Sequence, residues 1–266
     1  VIEGVQFWRD VSLGKKVELG DRVAVIGGGN AAMDSARTAL RLGAKETVIL
    51  YRRTRAEMPA DSEEIEEALA EGVQLYVLAA PSRIISHNGR LQLECLRMKL
   101  GAIDASGRRY PEPIKDSEFT LDFDTVIAAI GQLPEVPRQF NLEIGQGNVI
   151  KVDPDTLATS RKGAFAGGDA VTGPASVIEA IAAGRQAAIS IDKYLGGKGI
   201  IDEALAPPEE PVSPLEETEE KRRPPMPTLP IEKRILNFNQ VELGYSDEMA
   251  IEEAIRCLRC DLEKRE

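Results

Sequence analysis

One hexapeptide constrains this chain more than any other feature. Gly27-Gly28-Gly29-Asn30-Ala31-Ala32 follows a short, largely apolar run over residues 22–26. It opens a stretch over residues 30–42 in which Ala32, Ala36, Ala39 and Leu40 recur at helical spacing before Gly43. A short run without polar alternation predicts a strand buried on both faces of a parallel sheet. The glycines fit the pattern Gly-x-Gly-x-x-Gly/Ala, with Gly27, Gly29 and Ala32 at the diagnostic places. In that pattern Gly27 permits the tight turn out of the strand and Gly29 lets a pyrophosphate approach the backbone. Ala32 lets helix and strand pack closely. The helix N-terminus adds free amides and the positive end of a dipole. Any glycine turn can match such a string, but the strand before it and the helix after it predict a dinucleotide-binding turn.

The surrounding residues extend the pattern. Residues 47–51 read as a second buried strand, Asp61 as the cap of a helix with Glu64 three residues on, and residues 73–78 as a third strand. Strand, helix, strand, helix, strand predicts a parallel α/β sheet of Rossmann type. An acid about 20 residues beyond the glycines ordinarily binds a ribose 2′-hydroxyl. This chain has Tyr51-Arg52-Arg53-Thr54-Arg55 there. Guanidinium groups at that position suit a 2′-phosphate, hence NADP(H); the plainer alternative is a solvated basic loop.

Downstream the rhythm changes. Residues 83–86 and 90–100 flank a His87-Asn88-Gly89 turn, which predicts a hairpin, and a further strand-like piece, residues 118–121, follows a polar stretch. Residues 124–130 are apolar again and lead into Gly131. From residue 164 the chain reads as strand, Gly167-Gly168-Asp169, loop, and a long helix from about residue 175. The Asp169 carboxylate suits the ribityl hydroxyls of a flavin, or Gly-Gly-Asp is simply a turn. Near the start, residues 5–11 read as a short amphipathic helix leading to Gly14, and near the end residues 247–258 read as a helix after Ser246.

Composition excludes several classes. Forty-four acids against thirty-three Lys and Arg give a net charge of −11, which argues against general nucleic-acid binding. The excess lies in residues 202–220, where eight acids stand without a base; half of the sixteen prolines overlap it between Pro207 and Pro230, as in an extended tail. With His87 as the one histidine, a Ser-His-Asp hydrolase or a multi-histidine metal site is not expected. Three cysteines make no disulfide framework, no apolar run reaches the length of a membrane span, and no leader opens the chain. The expected location is cytoplasmic.

Four segments occur in order: residues 22–34 around the glycine turn, Tyr51-Arg52-Arg53-Thr54-Arg55-Ala56-Glu57-Met58-Pro59-Ala60, Ala129-Ile130-Gly131-Gln132, and Phe165-Ala166-Gly167-Gly168-Asp169. Together they resemble the NADPH-oxidising flavoproteins typified by the glutamate synthase small subunit. That group also includes the large subunit of NADH-dependent ferredoxin:NADP⁺ oxidoreductase. The resemblance covers residues 1–196 and, more loosely, the tail. It implies an NADP(H) domain inserted into an FAD domain, both Rossmann-like. On that pattern residues 1–20 are a linker helix from the FAD domain, and 21–133 are the NADP(H) domain with an antiparallel insertion. Residues 134–196 are the C-terminal half of the FAD domain, and 197–266 are a Pro- and acid-rich tail. Carried over residue by residue, Gly27, Gly28, Gly29, Asn30 and Ala31 hold the pyrophosphate and Arg52 and Arg53 the 2′-phosphate. Gly131 borders the cofactors, and Gly168, Asp169 and Val177 contact FAD.

The family's FAD glycine motif lies upstream of the NADP(H) domain, and nothing in residues 1–20 serves as one. The chain is therefore expected to be the C-terminal part of a longer protein or half of a split one, with half an FAD site. Cys257 and Cys260 suit half of an iron–sulfur site, half of a zinc site, a redox pair, or two ordinary thiols. Their surroundings also resemble the opening of the family's iron–sulfur segment. A [4Fe-4S] cluster there would need ligands from the upstream region or a partner subunit. The activity implied is hydride transfer from NADPH to FAD, with electrons passed to iron–sulfur centres or a partner electron-transfer subunit. The alternative is a non-catalytic NADP(H)-binding module of a larger assembly.

Overall fold

The computed structural model describes residues 1–87, 89–104, 107–201 and 222–256. They fall into two units, Val1–Ile130 with the segment 222–256, and residues 131–201. The first unit is organised by β2 (Arg22–Ile26), in which Val23, Ala24 and Val25 are all fully buried. With β1 (Ile2–Glu3), β3 (Glu46–Tyr51), β4 (Gln74–Val77) and β8 (Thr125–Ala128) it makes a parallel sheet in the order β1-β8-β2-β3-β4. Alternation along the strands sends residues to two different cores. Val23, Val25, Ile49 and Ile127 pack with Phe7 of α1 (Gly4–Ser12), with Ala32, Met33, Ala36 and Ala39 of α2 (Asn30–Arg41), and with Ile65 of α3 (Ser62–Ala70). Ala24, Val48, Leu50 and Val126 pack on the other side with Leu93, Cys95 and Phe123.

Those last three residues belong to an antiparallel sheet, β5 (Ala79–His87), β6 (Arg90–Ile103) and β7 (Arg109–Phe123), in that order. The expected insertion thus covers one face of the parallel sheet where a second layer of helices is the usual cover. β7 is far longer than the strand-like piece expected at 118–121. Its polar first half, with Pro111 and Pro113, pairs with β6 as an edge strand, where a missing N–H on the outer side breaks no ladder. The two-residue β1 was also not anticipated, because so short a strand has no period to read.

Other caps differ from expectation in detail. Asp61 does cap α3, accepting from the Glu63 amide at 2.8 Å, but Glu64 does not return to it. Glu64 instead takes Nη1 of Arg37 at 2.7 Å. Arg37 and Arg41 also converge on the buried carboxylate of Glu71, each at 2.8 Å. Arg234, at the end of the short α6 (Ile231–Arg234), reaches the same group, 3.3 Å from both Glu67 and Glu71. The segment beyond the acidic run is thereby tied to the first unit. Burial draws the Glu71 carboxyl upward, but hydrogen bonds from Arg37 and then Arg41 outweigh this and hold it below its usual range. The terminal helix α7 (Asp247–Ile255) starts after Ser246 as expected, yet Ile251 and Ile255 on its apolar side are exposed.

In the second unit the strand expected at residues 164–166 is reduced to an isolated bridge between Ala158 and Phe165. Among the described residues of this unit no neighbour extends that pairing. Gly168 then turns the chain with φ +63° into the one-turn α4 (Asp169–Thr172). Ser176 and Glu179 form a reciprocal capping box that starts α5 (Val177–Tyr194).

Candidate functional site

The chain leaves β2 through Gly27, whose φ of +148° disfavours any side chain. A Cβ there would also overlap the carbonyl of Ala129. At Gly28 a Cβ would lie 2.5 Å from the ring of Tyr51, at the end of the neighbouring strand. Gly29 is different: the nearest atom to a Cβ is Pro59 Cγ at 3.9 Å. The protein's own packing therefore demands the first two glycines and leaves room for a side chain at the third. Gly29 is also the N-cap of α2, with no side chain capping the helix and no acid in its first turn. Asn30 and Ala31 are exposed, and Ala32 is buried against the sheet. The Asn30 side chain is engaged, its Oδ1 accepting from the amide of Asp61 at 2.9 Å. A helix N-terminus without a side-chain cap is a site for an anion such as a pyrophosphate.

The basic segment lies at the end of the adjacent β3. Tyr51 is buried and its hydroxyl donates to the carbonyl of Glu57 at 2.7 Å. Arg52 is exposed and makes no ion pair among the described residues. Arg53, expected beside it on the phosphate, is turned inward: it is 4% exposed, and its Nη2 lies 2.5 Å from Asp104. Its guanidinium is already claimed inside the protein. That partner stands 51 residues away, so local sequence carried no signal of it. Arg55 pairs with Glu66. Glu57 closes a capping box with Thr54, whose hydrogen bond, with help from Arg109, holds the Glu57 carboxyl below its usual range. On α2, Asp34 is pushed up to about 6, first by burial and then by the charge of Glu64.

In the second unit, Gly167, Gly168, Asp169, Ser176, Val177 and Gly184 contribute to a groove of about 570 Å³ along α5. A Cβ at Gly167 would stand 3.0 Å from that of Ala183, so small residues set how closely this turn meets the helix. The Asp169 carboxylate accepts from the Ala175 amide at 3.2 Å, which fixes the turn leading into α5. Val177 is exposed at the start of the helix, and Gly131 is an exposed glycine with φ +98°. Cys257 and Cys260 lie outside the described residues. The remaining cysteine, Cys95, is buried, and burial pushes its thiol up to about 11. Among the described residues no helix is long and apolar enough to cross a membrane.

A parallel sheet whose central strand ends in this glycine turn is a Rossmann-like α/β architecture. Residues 1–184 match the family described as pyridine nucleotide-disulphide oxidoreductase, and the chain belongs to it. It is 43% identical over 271 residues to the NADP(+)-dependent formate dehydrogenase subunit beta of Moorella thermoacetica, covering 97% of this chain and 38% of that protein. It is 39% identical over 209 residues to the glutamate synthase [NADPH] small chain of Azospirillum brasilense, covering 74% of this chain and 43% of that one. The resemblance to glutamate synthase small subunits is therefore real across most of the sequence. Among solved structures, Mycobacterium tuberculosis FprA in complex with NADPH shares the fold, with a TM-score of 0.55 at 19% identity, over 66% of this chain and 53% of that one. The chain spans less than half the length of these two curated relatives.

Proposed function

We propose that this chain is the NADP(H)-binding portion, with part of the FAD-binding portion, of an NADPH-dependent flavoprotein oxidoreductase. The observation that carries the reading is the pairing of Gly29 with Arg52. An uncapped helix N-terminus opens beside a glycine that packing does not require, and an exposed guanidinium with no ion pair among the described residues follows the next strand. The names of the relatives, an NADP(+)-dependent dehydrogenase subunit and an NADPH glutamate synthase chain, support the choice of dinucleotide.

Gly28, Gly29, Asn30 and Ala31 hold the pyrophosphate by backbone amides, Gly27 makes the turn beneath it with its own amide on the Leu50 carbonyl, and Arg52 takes the 2′-phosphate. Arg53 drops out of direct contact. Gly168, Asp169 and Val177 border the flavin, Asp169 chiefly by holding the turn before α5, and Gly131 gives a backbone approach without a side chain. When bound, NADPH and FAD supply the hydride chemistry and the step from two-electron to one-electron transfer. That chemistry asks the protein for positioning and not for an acid or base. Cys257 and Cys260 would be two of the ligands of a [4Fe-4S] cluster, which, or a partner electron-transfer subunit, would supply the one-electron acceptor. The setting is cytoplasmic.

Calorimetric titration with NADPH and NADH tests the reading. The chain should bind NADPH more tightly, and Arg52→Glu should weaken NADPH by about tenfold or more while sparing NADH. Equal affinities for the two dinucleotides in the unmodified chain would overturn it.

A further inference from the structure

The inward turn of Arg53 is part of a larger arrangement. Its Nε donates to the carbonyl oxygen of Arg109 at 2.7 Å and its Nη2 to the Asp104 carboxylate at 2.5 Å. Arg109 reciprocates, its Nε donating to Glu57 at 3.0 Å. Glu57 in turn accepts from the amide of Thr54 at 3.2 Å and from the Thr54 hydroxyl. The segment from Arg53 to Glu57 is thus fastened at both ends to one place, where β6 ends at Ile103 and β7 begins at Arg109. Nothing in the chemistry of a phosphate site requires this. It couples the antiparallel insertion to the basic segment.

We propose that Asp104 is a positioning residue for dinucleotide selection: by holding Arg53 inward it sets the 52–57 segment so that Arg52 is presented at the end of β3. The inference rests on the reading of Arg52 as the group that meets the 2′-phosphate. A guanidinium that is 4% exposed does not stay in place without its acid. Removing one partner of a buried pair leaves an uncompensated charge, which must hydrate or turn outward. Either response moves the backbone between Tyr51 and Thr54, and a charge-assisted contact to phosphate is sensitive to such displacement. The glycine turn has backbone contacts outside that segment, the Gly27 amide on the Leu50 carbonyl and the Ala60 amide on the Gly28 carbonyl, each at 3.1 Å. Contacts to the rest of the dinucleotide are therefore left alone.

The test is calorimetric titration of NADPH, NADH and 2′,5′-ADP against the full chain and its Asp104→Asn, Asp104→Glu, Arg109→Gln and Arg52→Glu variants. Asp104→Asn should weaken NADPH and 2′,5′-ADP by about tenfold, the scale of one charge-assisted contact, and leave NADH within about twofold. Asp104→Glu should recover most of the loss. Arg109 is half exposed, so Arg109→Gln folds even if the Asp104 variants do not; it should weaken NADPH alone by about threefold. Parallel weakening of NADPH and NADH would show a merely structural role and overturn the proposal. Unchanged NADPH affinity would do the same, and so would tighter NADPH binding, which would make a released Arg53 the ligand itself. An Arg52→Glu variant that still prefers NADPH would remove the underlying reading. Loss of preference in Arg52→Glu with none in Asp104→Asn or Arg109→Gln would remove this inference alone.

Discussion

The two units of this chain treat their apolar residues in opposite ways. In the first, Val23, Val25, Ile127 and Phe7 are fully buried, and the parallel sheet is covered by helices on one face and by a second sheet on the other. In the second, an 18-residue helix with an ordered capping box buries none of its residues. Val177, Ile178 and Ile181 remain 76%, 78% and 67% exposed. Leaving three such side chains in water forgoes about 1.5–3 kcal/mol each. Capping and turn chemistry are local and are satisfied in both units, whereas burial needs a second surface. On the proposed function, that surface belongs to the other half of an FAD domain.

The comparison breaks most readily at Glu71. Replacing it with Ala leaves Arg37, Arg41 and Arg234 without the carboxylate they share, and should destabilise the first unit by about 3–5 kcal/mol in denaturant unfolding. The sign with pH follows from its lowered pKa. The contribution is full at neutral pH and is lost as pH falls through the folded value, below the ordinary 4.5. Destabilisation of equal size at pH 7 and pH 3 would contradict this.

A matched pair of substitutions sharpens the contrast directly. Ile49→Ala, in the helix-side core, should cost about 2–5 kcal/mol. Ile178→Ala, on the exposed face of α5, should change the stability of this chain by less than about 0.5 kcal/mol. Comparable losses at the two positions would mean that the α5 face is covered.

Asp34 gives the smallest and most specific effect. Its carboxyl titrates near 6, above the ordinary 3.8, so the folded state holds this proton more tightly than the unfolded state does. The stability it contributes is present below about pH 4 and is lost as pH rises through 6. Asp34→Asn should therefore stabilise the first unit by on the order of 1–2 kcal/mol at pH 8 and leave it unchanged at pH 4. Thermal melts at the two pH values check both arms.

Much of the fold was legible because its signals are short-ranged. The turn from β2 into α2, the burial of Ala32 and Ala36, the hairpin of β5 and β6 and the start of α7 all follow from spacing and caps within a dozen residues. The signal is weak where a partner is distant or lacking. Only the second half of β7 carries a strand signal, because an edge strand tolerates the prolines and charges that forbid a central one. The apolar run around Phe165 forms only an isolated bridge, because such a run becomes a strand only beside a neighbour.

Short-range pattern alone places a strand, a glycine turn and a helix at residues 22–41, and arginines at the end of the next strand. Which arginine faces outward is settled by a contact between distant segments. Arg52 and Arg53 are chemically identical and adjacent, and successive side chains at a strand end point to opposite sides. What separates them is Asp104, 51 residues further on, whose carboxylate makes the inward position tolerable for a buried charge. Likewise the place of Arg234 depends on Glu67, 167 residues earlier. Local spacing specifies backbone and periodicity; the pairing of buried charges is specified only when distant segments meet.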